Sequence, residues 1–90
     1  MTLDEYQDFV KTCPTFDDPA LVMLLEAGEA IQHVLKDRRG GTRRKPVDRD
    51  KLAEELGDAG WGLVKVASEY GLSFQSILEG NVAKLTGRHF

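Results

Sequence analysis

Cysteine is almost missing from this 90-residue chain, which has only Cys13. No internal disulfide can form, and the chain suits a reducing, cytoplasmic compartment. Cys13 itself reads as a free thiol near the surface or in a hinge. Long apolar runs are also missing, which excludes a membrane-spanning helix. The first six residues, Met1 to Tyr6, carry acid rather than base and no apolar run, which argues against a signal peptide. No segment alternates apolar and polar residues for long enough to make a half-buried strand. Neither an internal repeat nor a linker divides the chain, so residues 1–90 are expected to form one domain.

What remains is enough for a folded helical protein. Apolar residues make up 41% of the chain, too many for a disordered one. A domain this small buries a limited share of its surface, so a modest core or an oligomer is expected. The net charge of −3 hides an uneven distribution. Residues 36–51 hold eight basic and three acidic side chains, a local +5, and the rest of the chain carries −8. A basic segment on an acidic protein suggests a local anion site. An acidic chain overall makes a poor general binder of nucleic acid.

Four helices are legible. Thr2 with Glu5 fits a capping box, and Leu3, Tyr6 and Val10 follow at helical spacing over about 3–12. Cys13-Pro14-Thr15-Phe16 reads as a break. Asp18 and Pro19 open a second helix, about 19–39, with a broad apolar surface from Leu21, Leu24, Leu25, Ile31, Val34 and Leu35. Gly40-Gly41 ends it and starts a basic loop over 40–47. A third helix, about 49–70, shows Leu52, Leu56, Leu63, Val66, Ala67 and Tyr70 at intervals that suit a packed face, and Gly71 stops it. Gly57, Gly60 and Gly62 inside it each cost up to ~1 kcal/mol relative to alanine. Close approach of another backbone would offset that; a kink or local opening is the other option. Ser73 caps a fourth helix, about 74–87, with Phe74, Ile77, Leu78, Val82 and Leu85 on one side. The expected fold is all-α, an antiparallel helical bundle with short connections.

The chemistry sits in carboxylates. Glu26 and Glu29 are three residues apart, on one helix face. Glu55 and Asp58 repeat the spacing on the next long helix, and both pairs adjoin leucines expected in the core. Four carboxylates facing one another repel, and a hard divalent cation is the simplest remedy. A single pair with this spacing is ordinary on a solvated face; two pairs on successive amphipathic helices are less so. Glu54 points to another face and is expected to meet solvent, a basic neighbour or one of the ligands. Asn81 and Lys84, again three apart, read singly as surface residues. Beside metal-bound phosphates they make a clamp of one amide and one positive charge.

These segments resemble the MazG-like all-α nucleoside triphosphate pyrophosphohydrolases. Leu25-Glu26-Ala27-Gly28-Glu29-Ala30 and Leu52-Ala53-Glu54-Glu55-Leu56-Gly57-Asp58-Ala59-Gly60-Trp61 carry the likeness. Gly71-Leu72-Ser73 and Asn81-Val82-Ala83-Lys84-Leu85 extend it, so that it covers roughly residues 18–88. The order Glu-x-x-Glu, Glu-x-x-Asp, Asn-x-x-Lys is specific as a set. The resemblance implies that Glu26, Glu29, Glu55 and Asp58 bind Mg²⁺, with Mn²⁺ as a substitute, and form the catalytic centre. It implies that Asn81 and Lys84 contact the phosphates or sugar. The implied reaction splits a nucleoside triphosphate between the α and β phosphates, and the implied assembly is a homodimer or homotetramer. Lys36, Arg38, Arg39, Arg43 or Arg44 would stabilise the leaving pyrophosphate. Trp61 would stack on the base or simply pack. Gly60 and Gly62 stand where the family usually has larger apolar residues, a departure that would widen the base pocket or alter a subunit contact. Two rival readings remain: a non-enzymatic helical interaction protein with surface acids, and a small nucleic-acid binder using residues 38–49.

Overall fold

The computed structural model describes residues 1–15 and 17–87. Phe16 in the expected break, and residue 88 at the end of the resemblance, lie outside the described residues. Four α-helices follow in order: α1 (Leu3–Thr12), α2 (Pro19–Arg38), α3 (Arg49–Glu69) and α4 (Phe74–Thr86), with a 3-10 turn at Gly41–Arg43. No strand occurs among the described residues, and the fold is all-α. No described helix is long and apolar enough to cross a membrane.

Local chemistry sets the helix ends. Thr2 Oγ1 accepts from the Glu5 N–H at 3.1 Å while Glu5 Oε1 accepts from the Thr2 N–H at 3.0 Å, a complete capping box. Asp18 accepts from the Ala20 N–H ahead of Pro19 at the first helical position. Asp48 and Ser73 do the same for α3 and α4 by accepting from Lys51 and Ser76 N–H groups. At the end of α3, Gly71 takes a φ of +68°, which an L side chain rarely adopts. There the Leu72 N–H reaches the Ala67 carbonyl and the Gly71 N–H reaches that of Ser68, a Schellman ending.

The chain forms two compact units, and α3 contributes to both. One comprises residues 1–14 and the chain from Val64 onward. Its centre is a buried glutamine. Gln7 Nε2 donates to Ser68 Oγ at 3.1 Å and to the Leu72 carbonyl at 2.8 Å, and its Oε1 accepts from the Phe74 N–H at 2.8 Å. One side chain thus ties α1 to the end of α3 and the start of α4. Lys65 Nζ donates to the carbonyls of Val10 and Cys13, satisfying acceptors at the end of α1. Val10, Val64 and Ala67 are buried in this unit.

The other unit, Thr15–Leu63, holds α2 and most of α3. Gly62 lies against Met23, and Glu55 lies against His33, so the two helices run antiparallel. A Cβ on Gly62 would sit 2.9 Å from Met23 Cβ and 3.1 Å from its Cα. Close approach of a backbone is therefore the reason for that glycine. Gly57 and Gly60 have no such neighbour within 4 Å. The buried apolar residues of the unit are small ones, Ala30 and Ala59, beside Pro19. The larger side chains flank this narrow seam, and this corrects the sequence-based expectation of a packed leucine face. Leu25 and Leu56, expected in the core beside the acidic pairs, are 63% and 55% exposed. Leu63 and, in the first unit, Tyr70 are exposed as well.

Candidate functional site

Helix α2 carries Glu26, Glu29 and His33 at spacings of three and four, one above another on a single face. Helix α3 returns antiparallel and sets Glu55 opposite His33. The Glu55 side chain is 9% exposed, and its Oε1 lies 3.3 Å from His33 Nε2. An ionised carboxylate can only accept, so the His33 tautomer that suits this contact is the one with its hydrogen on Nε2. The second oxygen, Oε2, is buried with no hydrogen-bond partner. Leaving a charged acceptor in that condition is costly, by more than the ~1–3 kcal/mol of a neutral group.

The acids of the two helices also act on one another. The Glu26 carboxyl is held above its ordinary range, first by loss of hydration and then by the negative charges of Glu29, Asp58, Glu55 and Glu54. All five belong to the same unit. Glu29, Asp58 and Glu54 are solvent-exposed, as expected for Glu54. Among the described residues no three His, Cys, Asp or Glu side chains form a group ready to hold a metal ion. Charge has been concentrated here, and a ligand cage is not preassembled. The residues nonetheless fit a hard cation in chemistry: they are oxygen donors, and one is a buried carboxylate with an unpartnered oxygen.

The basic residues divide. Arg44 is engaged within the chain: its guanidinium meets Asp37 Oδ1 at 2.8 and 2.9 Å, and the Lys45 N–H donates to the Lys36 carbonyl. These contacts fold the loop back on the end of α2. Lys36, Arg38 and Arg39 are exposed in the last turn of α2 and its cap. The side chain of Arg43 lies outside the described residues. Arg38 also lines an apolar groove of about 300 Å³ with Ile31, Val34, Leu35, Leu52 and Leu56. Trp61 is half-buried on α3 in this unit. Asn81 and Lys84 belong to the other unit, exposed on α4 at adjacent turns.

Sequence reasoning missed His33. The signal was present, because His33 is four residues after Glu29 and seven after Glu26, in register with both. What it lacked was the partner, since only the antiparallel return of α3 brings Glu55 to it.

A comparison with family models finds one described as the MazG nucleotide pyrophosphohydrolase domain, matching residues 16–90. No curated protein and no solved structure matches the chain.

Proposed function

The chain belongs to the MazG nucleotide pyrophosphohydrolase family, and from that premise we propose that it hydrolyses a nucleoside triphosphate between the α and β phosphates. The products are a nucleoside monophosphate and pyrophosphate, and the cofactor is Mg²⁺, with Mn²⁺ as a substitute. The observation that supports this most is Glu55, a buried carboxylate with one unpartnered oxygen, in a group of acids that adds to lost hydration in raising the Glu26 carboxyl.

Glu26, Glu29, Glu55 and Asp58 would hold the ion. When bound, Mg²⁺ neutralises triphosphate charge and makes a water easier to deprotonate. The protein's own groups would do the rest. Lys84 would bind phosphate as a point charge, and Asn81 would offer an amide to phosphate or sugar. Lys36 and Arg39 would stabilise negative charge on the departing pyrophosphate. Arg44 drops behind them because Asp37 already neutralises it. Trp61 would stack on the base.

The active form would be a homodimer or homotetramer. Leu21, Leu24, Leu25, Ile31, Leu35 and Leu56 are each more than half exposed in the α2–α3 unit. Apolar exposure on that scale supports this reading.

The test is a panel of the eight common ribo- and deoxyribonucleoside triphosphates with oxidised and methylated forms. Pyrophosphate and monophosphate should appear in equal amounts, with Mg²⁺ and not with a chelator. Inertness across the panel, with no metal binding by calorimetry, would overturn the assignment.

A further inference from the structure

We infer that His33 is a positioning residue of the metal site, fixing the Glu55 carboxylate through Oε1 so that Oε2 is the oxygen offered to the cation. The inference rests on the metal-site reading above and assigns a role to a residue outside the acidic motif.

The Glu55 side chain is nine-tenths buried, and only one of its oxygens has a partner. That partner is the His33 ring, 3.3 Å away on the facing helix. A carboxylate free to turn about its last torsion presents either oxygen, or both, to an ion. A hydrogen bond to Oε1 removes that freedom. It also keeps the two oxygens chemically distinct, one accepting from nitrogen and one open. A ring held by its own helix is a stiff donor, since His33 has two side-chain torsions and Glu55 has three. Groups that orient a ligand in this way typically change metal affinity by ~10–100-fold when removed.

The spacing on α2 supports the same role. Glu26, Glu29 and His33 share one face, so the ring is on the side of the helix that carries the proposed ligands. Its Nε2 is directed to the Glu55 oxygen, and in the proposed role it carries the ring proton. It is therefore not available as a lone-pair ligand, and the donor set for the cation stays all oxygen, as Mg²⁺ prefers.

The experiment measures Mn²⁺ binding by electron paramagnetic resonance, with thermal unfolding in parallel, on the full chain and two variants. His33→Leu keeps bulk and removes the donor; His33→Gln keeps an N–H donor. Wild type should bind Mn²⁺, His33→Leu should bind it on the order of 10–100-fold more weakly, and His33→Gln should recover most of the loss. A folded His33→Leu that binds within twofold of wild type overturns the inference and leaves the metal site standing. So does a His33→Gln no better than His33→Leu, because the donor would then be irrelevant. Absence of Mn²⁺ binding in wild type overturns both readings together. A second measurement needs no folded leucine variant. In ¹⁵N-labelled wild type, the His33 ring, told apart from His89 by the His33→Gln spectrum, should carry its proton on Nε2 with and without Mg²⁺. An Nε2 without a proton overturns the inference.

Discussion

Gln7 and Glu55 are the buried polar side chains among the described residues, and they sit in different units and in opposite conditions. Gln7 uses both ends of its amide, with three partners from two other parts of its unit. Glu55 has one partner and an oxygen with none. Under the proposed function, the difference separates burial that serves the fold from burial that serves a site. A satisfied buried amide rigidifies and orients its surroundings. A half-satisfied buried carboxylate costs stability and persists where function needs it.

The widest gap between the two units should open on removing a charge from the acidic one. Glu29→Gln and Asp58→Asn each relieve repulsion felt by Glu26, so the metal-free protein should melt no lower than wild type. Activity should fall on the order of 10³-fold, because a bound cation supplies several kcal/mol of charge stabilisation. A parallel loss of melting temperature would mean that these acids hold the fold together.

The converse change tests the other unit. Gln7→Ala strands the Phe74 N–H and the Leu72 carbonyl, and should cost about 2–3 kcal/mol. That corresponds to a drop in melting temperature on the order of 10 °C for a domain this size. Pyrophosphate release per folded molecule should stay near wild type. A variant that melts normally but loses turnover would put Gln7 in the site and erase the contrast.

The two units also differ in how much of each was legible before the helices were placed together. Helix starts were legible in both, because Thr2, Asp18 and Ser73 act on N–H groups two or three residues away. The acidic pairs were legible because a spacing of three within one helix is a local fact. Contacts between helices were not. His33 could be assigned nothing until Glu55 faced it. The leucines of α2 and α3 have helical period, but the seam of their unit runs through Ala30, Ala59 and Gly62, where small side chains let the helices close. Periodicity finds a stripe, and only the partner decides which edge of it is buried.

Two glycines on either side of Trp61 sharpen that point with smaller effects. Gly62→Ala would drive a Cβ into the Met23 backbone and should destabilise by about 1–3 kcal/mol through overpacking. Gly60→Ala meets nothing within 4 Å in the chain and should stabilise the isolated chain by up to ~1 kcal/mol through helix propensity. Urea denaturation of the two variants gives the comparison directly. If Gly60→Ala is folded and more stable yet fails to self-associate by sedimentation, its glycine belongs to the proposed subunit contact.

The smallest effect compares one glutamate from each unit. Glu5 is held below its ordinary range by the Thr2 backbone N–H and hydroxyl. Its contribution is present above the unfolded-state value and is lost as pH falls through the folded-state one. Glu26 is held above its ordinary range by lost hydration and neighbouring acids, so its sign is reversed. Between the ordinary value and the raised one the native state binds more protons than the unfolded chain, and stability falls as pH rises through that window. Melting curves in chelator across the carboxylate range should therefore show Glu26→Gln gaining on wild type as pH rises, with the gain fading on acidification. Thr2→Ala should behave oppositely: its deficit is full at neutral pH and shrinks in acid, because the interaction it removes is itself titrated away. Saturating Mg²⁺ should raise wild type by mass action and raise Glu26→Gln less, leaving Thr2→Ala displaced by the same amount as before. A Glu26→Gln gain that is flat with pH, or unmoved by Mg²⁺, would show that its carboxyl is ordinary surface charge, and the electrostatic difference between the two units would disappear with it.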